Sequence, residues 1–170
     1  MDLSLWFSDQ LNASAEGFIW AIGELPQDRL FVSPPAHPEE WPAARHVFHL
    51  LYYEQNVALP MMKVWMGEPS TLNYEDYNEG EAWEALQDKH IEKLLSDFRM
   101  VRAEQIVLLQ KTKEEMWQQV QQTVWGDKTL KWVVTKTYQH TAEHLHDVLR
   151  MVLHWDAGLK SMKEMQEQQE

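Results

Sequence analysis

Hydrophobic side chains return every three or four residues along four stretches of the chain, and polar or proline-containing segments separate them. A period near 3.6 marks helices with one buried face. The first stretch spans residues 2–23, with Leu3, Trp6, Phe7, Leu11, Phe18 and Ile22 in phase. Pro26 and the segment Ser33-Pro34-Pro35-Ala36-His37-Pro38 end it, because proline has no N–H and restricts the residue before it. The second stretch begins near Trp41-Pro42 and reaches about Met66. Pro60 lies inside it, so a kink or an early end is expected between Asn56 and Leu59. Gly67, Pro69 and Ser70 close it. A crossover rich in tyrosine and acids, residues 74–80, follows, with no regular element evident.

The third stretch covers residues 81–110, with Trp83, Leu86, Ile91, Leu94, Leu95, Phe98, Val101, Ile106 and Leu109 on a broad apolar face. Residues 113–122 are polar apart from Met116 and Trp117, and read as a continuation or a separate short turn before Gly126-Asp127. The fourth stretch covers residues 128–156. Leu130, Val133, Val134, Thr137, Thr141, His144, Leu145, Val148, Val152 and Trp155 stay near one side. Residues 1–158 read as one domain and 159–170, mostly Lys, Glu and Gln, as a frayed tail. Four such helices must bury their stripes against each other. The predicted fold is therefore all-α, a four-helix bundle with a long crossover between helices two and three. A crossover of that length can travel along the bundle, so simple up-down-up-down order is not required.

Composition narrows the function classes. A chain of 170 residues is long enough for a real core, and 44% hydrophobic with 25% charged residues argues against disorder. The net charge of -12, with Lys and Arg scattered, makes nucleic acid a poor partner. No cysteine is present, so disulfides, thiolate ligands and a cysteine nucleophile are excluded. That fits a reducing compartment. Residues 1–6 lack the basic region of a signal peptide, and no apolar run reaches the ~20 residues a membrane span needs. The expected location is cytoplasmic. Nine tryptophans are expected mainly in the core, with Trp41 packing at the start of helix two.

The sharpest chemical feature is His140-Thr141-Ala142-Glu143-His144. Two histidines four apart on a helix project from one face, with Cβ atoms ~6 Å apart. Two imidazoles so placed reach one ion at ~2.1 Å each. A third donor is needed, and His46 and His49 on helix two are both available. The same segment matches H-x-x-E-H, which would make Glu143 the base of an inverted zinc protease. Only residues 145–170 follow His144, too few for the downstream ligand and larger domain of such enzymes. Two histidines on a helix surface with no ligand at all are the plain alternative. Tyr52, Tyr53 and Glu54 stand where they could line the mouth of a site. Glu143 is either a solvated residue or an orienting partner for a ligand.

Three passages resemble the DinB/YfiT-like family of metal-dependent, all-helical proteins. Trp41-Pro42-Ala43-Ala44-Arg45-His46-Val47-Phe48-His49-Leu50 resembles the family's opening of helix two. Trp125-Gly126-Asp127-Lys128-Thr129-Leu130 resembles its entry to helix four, and His140 with His144 resembles its paired histidines. The resemblance runs in order along essentially the whole chain. It implies that the three metal ligands are His49, His140 and His144, and that His46 lies one turn off the ligand position. His146 sits about 200° round the helix from His144, so it is expected to point elsewhere. The pattern departs at Leu145, where the family often carries a further His or Arg. The resemblance further implies a divalent ion, Zn or Ni, with open positions. It implies an enzyme that transfers groups with a low-molecular-weight thiol, or a hydrolase, acting on a small molecule. A homodimer is expected by the same token. The alternative is a non-catalytic binding or dimerisation protein with an idle or empty metal site.

Overall fold

The computed structural model describes residues 2–35, 37–69, 77–86 and 90–155. Helix α1 (Leu3–Gly23) is started by Asp2, whose carboxylate accepts from the N–H groups of Ser4 and Leu5 at 2.9 and 3.2 Å. These donors have no partner within the helix itself. Helix α2 (Ala43–Tyr53) begins after Pro42, which is extended. The chain does not stop at Pro60. Glu54–Ala58 form one π-helical turn, the helix resumes as α3 (Leu59–Lys63), and a 3-10 turn, Val64–Met66, leads to Gly67 at φ +87°. The wide turn accommodates the Pro60 ring, which would otherwise press on the carbonyl of Asn56 and has no hydrogen to give it. The distortion expected between Asn56 and Leu59 thus begins two residues earlier, at Glu54.

The third predicted helix is two helices. Helix α4 (Glu79–Glu84) is capped by Asn78, whose side chain accepts from Glu81 N–H at 3.2 Å. Helix α5 (Ile91–Gln110) starts afresh after His90, which is extended. The expected single span of residues 81–110 fails because Trp83 does not belong to the α5 stripe. It packs on Phe48 and over Arg45 of α2 instead. Glu79 and Gly80, read as featureless crossover, belong to α4. Residues 70–76 and 87–89, which hold the rest of the crossover and the joint, lie outside the described residues.

After a 3-10 turn, Glu114–Gln118, the chain forms a hairpin that the hydrophobic pattern did not predict. Strands β1 (Val120–Thr123) and β2 (Gly126–Thr129) pair antiparallel, Val120 opposite Thr129 and Thr123 opposite Gly126. Gly126 takes φ +79°, which glycine adopts at no steric cost. Thr123 Oγ1 donates to the Gly126 carbonyl at 2.7 Å and accepts from Trp125 N–H at 3.1 Å. Helix α6 (Leu130–His154) follows at once, capped by Thr129 Oγ1 on Trp132 N–H at 3.2 Å. The expected tail, residues 159–170, lies outside the described residues.

Helix α1 packs chiefly against α5 and α6, and α2 packs against the same two. Contacts along the helices give their directions. Ser4 meets Thr112 while Glu16 meets Arg99, so α1 and α5 are antiparallel. His46 meets His144 while His49 meets His140, so α2 and α6 are antiparallel. A methyl group at Gly17 would touch Leu145, and Arg29, just past α1, lies over Trp155 at the end of α6, so α1 and α6 are parallel. The long helices therefore run up, down, down and up. The consecutive pair that runs the same way, α2 and α5, is the pair joined by the long crossover. The core between them includes Leu11, Phe18, Leu50, Met61, Phe98, Leu109 and Leu130, with Phe18 and Phe98 edge to face at 5.8 Å. Each such side chain contributes about 1.5–3 kcal/mol by leaving water.

The tryptophans are divided, against the expectation of a core set. Trp65, Trp117 and Trp155 are buried, whereas Trp6, Trp20, Trp41 and Trp132 are exposed. Two of the exposed ones cover neighbours: Trp41 lies against histidines of α2 and α6, and Trp132 against Trp125 and Lys128. Among the described residues, no helix is long and apolar enough to cross a membrane.

Candidate metal centre

Antiparallel pairing of α2 and α6 sets two histidine pairs face to face. His46 and His49 sit three apart on α2, and His140 and His144 sit four apart on α6. Each spacing brings both rings onto one side of its helix. His49 Nε2 lies 3.0 Å from His140 Nε2, and His140 Nε2 lies 3.2 Å from His144 Nε2. The donor nitrogens of His49, His140 and His144 all lie within 4.8 Å of one another. Two nitrogens on one ion at ~2.1 Å are separated by roughly 3.0–3.4 Å for angles between octahedral and tetrahedral. The separations of His140 from His49 and from His144 fall in that range. A neutral imidazole carries one proton, so three ring nitrogens facing one point cannot all be satisfied by hydrogen bonds among themselves. The other ring nitrogen of His140, Nδ1, is buried with no hydrogen-bond partner. The donor set fits a borderline divalent ion held on one face of its coordination sphere.

Electrostatics keep the rings in the form a metal requires. Burial first, then the neighbouring rings of His144 and His49, lower His140 to about 3. Burial, and then His49, lower His144 to about 4. His46 is lowered to about 3 by burial, then by His144 and His49. All three are thus neutral near pH 7, with a lone pair available. The Nδ1 of His49 meets Glu79 Oε2 at 2.6 Å, so it donates its proton there and leaves Nε2 free to face the other rings. Burial alone would raise the Glu79 carboxyl. The hydrogen bond from His49, with the charges of His49 and Arg45, outweighs burial and holds it below the usual carboxylate range. Arg45 pairs with Glu79 at 2.6 Å, and its guanidinium lies over the rings of Trp41, Phe48 and Trp83 at 4.8–5.3 Å.

Aromatic rings wall the cluster. Trp41 is stacked on His144 with centroids 6.3 Å apart, and lies 5.1 Å from His49. Tyr53 meets His140 edge-on at 4.4 Å. His49 and His144 keep 18% and 12% of their side-chain surface, so the cluster is reached from solvent.

The structure thus brings His49, His140 and His144 together, and the neighbouring residues take roles the sequence left open. Glu54 is not at a mouth: it is fully buried and paired with Arg102. Tyr52 packs on Phe48 and Tyr77, while Tyr53 does reach the cluster. Glu143 is exposed and accepts from Gln139 at 2.6 Å, which is its solvated reading. His146 is exposed and away from the cluster. His46 stands behind His144, with their Nδ1 atoms 2.8 Å apart. Glu79 was missed. The only signal for it was the cap at Asn78, three residues before Glu81, which announces a helix but not where it docks.

No curated protein and no solved structure is matched by this chain. The profile of the DinB superfamily, however, matches residues 10–148, from the first helix to beyond the His140–His144 pair. The chain belongs to the DinB superfamily.

Proposed function

We propose that this chain is a metal-dependent enzyme with a divalent ion on His49, His140 and His144, acting on a small molecule with a low-molecular-weight thiol as cosubstrate. One observation carries the reading: the Nε2 atom of His140 lies 3.0 and 3.2 Å from those of His49 and His144, the separations of ligands on one ion. An ion on that face would keep positions for water or a thiol and would lower the pKa of either. Glu79 holds the His49 proton on Nδ1, and Trp41 and Tyr53 shield the ring edges from water. The chain contains no cysteine, so a sulfur nucleophile has to arrive with a cosubstrate. Water in the same position would make the enzyme a hydrolase. Zn and Ni both suit three imidazoles.

The test is metal analysis of protein purified without a histidine tag, followed by a thermal-shift screen of thiols and electrophiles. About one ion per chain, lost in His140→Ala, is the expected result. Uptake well below one ion after addition of Zn²⁺ or Ni²⁺ would overturn the reading. The cover of Trp41 on His49 and His144 favours a second reading, a binding protein whose ion is idle. That reading expects one ion per chain but no response to any thiol.

A further inference from the structure

His46 and His144 meet Nδ1 to Nδ1 at 2.8 Å. That distance suits one N–H···N hydrogen bond and is shorter than the roughly 3.0–3.4 Å between nitrogens sharing an ion. One ring therefore donates from Nδ1 and the other accepts. The direction matters, because a neutral ring with its proton on Nδ1 has its lone pair on Nε2. In His144, Nε2 is the atom that faces His140.

The surroundings of His144 set the direction. The Asp147 carboxylate lies 3.8 Å from His144 Nδ1 and favours a proton there. With the proton on His144, the Nδ1 of neutral His46 presents only a lone pair.

We propose that His46 is a positioning residue: it accepts the Nδ1 proton of His144 and so presents the His144 Nε2 lone pair to the metal position, without being a ligand. The proposal rests on the three-histidine reading of the site. His46 does for His144 what Glu79 does for His49, and the two orienting partners come from different segments, α2 and α4. His46 is buried at 6% exposure, which keeps water from competing for the proton. Loss of an orienting partner of this kind costs about 10–100-fold in metal affinity.

The experiment combines imidazole ¹⁵N spectroscopy with zinc titration of the full chain. In metal-free and zinc-loaded protein alike, His144 Nδ1 is expected to be protonated and coupled to an unprotonated His46 Nδ1. His46→Ala is expected to keep one zinc per chain and weaken it 10–100-fold. His46→Asn, whose Oδ1 takes the place of Nδ1 as acceptor, is expected to stay within a few-fold of wild type. A protonated His46 Nδ1, a zinc shift on His46 itself, or equal affinities for the Ala and Asn variants would overturn the proposal. If wild type takes up no metal, the proposed function fails, and the tautomer seen in the metal-free protein still decides the role of His46.

Discussion

Two polar clusters, one buried and one reached from solvent, lie one residue apart along the chain, and they are built in opposite ways. His140 and Thr141 are neighbours on α6, and Tyr53 and Glu54 are neighbours where α2 passes into the π turn. On one side, Arg102 of α5 is satisfied all round. It donates to both carboxylate oxygens of Glu54, to the Leu11 carbonyl at 3.0 Å, to Ser14 Oγ at 3.4 Å and to Thr141 Oγ1 at 2.8 Å. This knot ties α1, the π turn and α6 to α5. On the other side, the histidine cluster leaves lone pairs facing one another and one buried nitrogen without a partner. A satisfied polar cluster has a structural role and accepts nothing more. A cluster of converging acceptors has its partner outside the chain.

The contrast makes sharp expectations. The largest effect belongs to the knot. Arg102→Leu leaves the Glu54 carboxylate buried and unpaired and is expected to cost about 3–5 kcal/mol in urea unfolding of metal-free protein. The double change Glu54→Leu with Arg102→Leu removes both charges and is expected to recover most of that loss. A double variant as unstable as the single one would break the comparison, because the ion pair would not be the cause.

Next comes the metal. Titrated with Zn²⁺ to 100 times its dissociation constant, wild-type protein is expected to gain about 2.7 kcal/mol over the chelator-treated form. His140→Ala is expected to show no such gain, while its metal-free stability stays within about 1 kcal/mol of wild type. A metal-free loss as large as that of Arg102→Leu would make His140 a packing residue instead.

Glu79→Gln tests the support of His49. Gln accepts a hydrogen bond less strongly than a carboxylate and loses the pair with Arg45, so metal affinity is expected to fall about 10–100-fold at unchanged stoichiometry. Isothermal titration calorimetry reads both quantities. The smallest expected effect is that of Thr141→Val, which removes one bond from Arg102 beside His140. About 1 kcal/mol of stability should go, with metal content unchanged. Loss of metal in this variant would show that the two clusters are coupled.

Much of this was legible along the chain, for identifiable reasons. Helices α1, α2, α5 and α6 carry a 3.6-residue period over many turns, and each must bury its stripe. The hairpin was not legible because its strands are four residues each and mostly polar, Val120-Gln121-Gln122-Thr123 and Gly126-Asp127-Lys128-Thr129. The break between α4 and α5 was hidden because Trp83 and Leu86 stay in phase with the stripe beyond them. The partners of Trp83 on α2 are invisible to a periodicity argument.

For the site, spacing alone determined that His140 and His144 share a face, since helix geometry fixes that within one turn. It left His46 and His49 equal, and the resemblance to the DinB/YfiT-like family chose His49. Only the tertiary structure decided how the two pairs meet. Antiparallel packing of α2 on α6 turned His49 Nε2 toward the pair, set His46 behind His144, and docked α4 so that Glu79 reaches His49 across the crossover. The sequence determines which side chains share a helix face, because that is local. Which face meets which depends on the docking of whole helices, because that follows from burying every stripe at once.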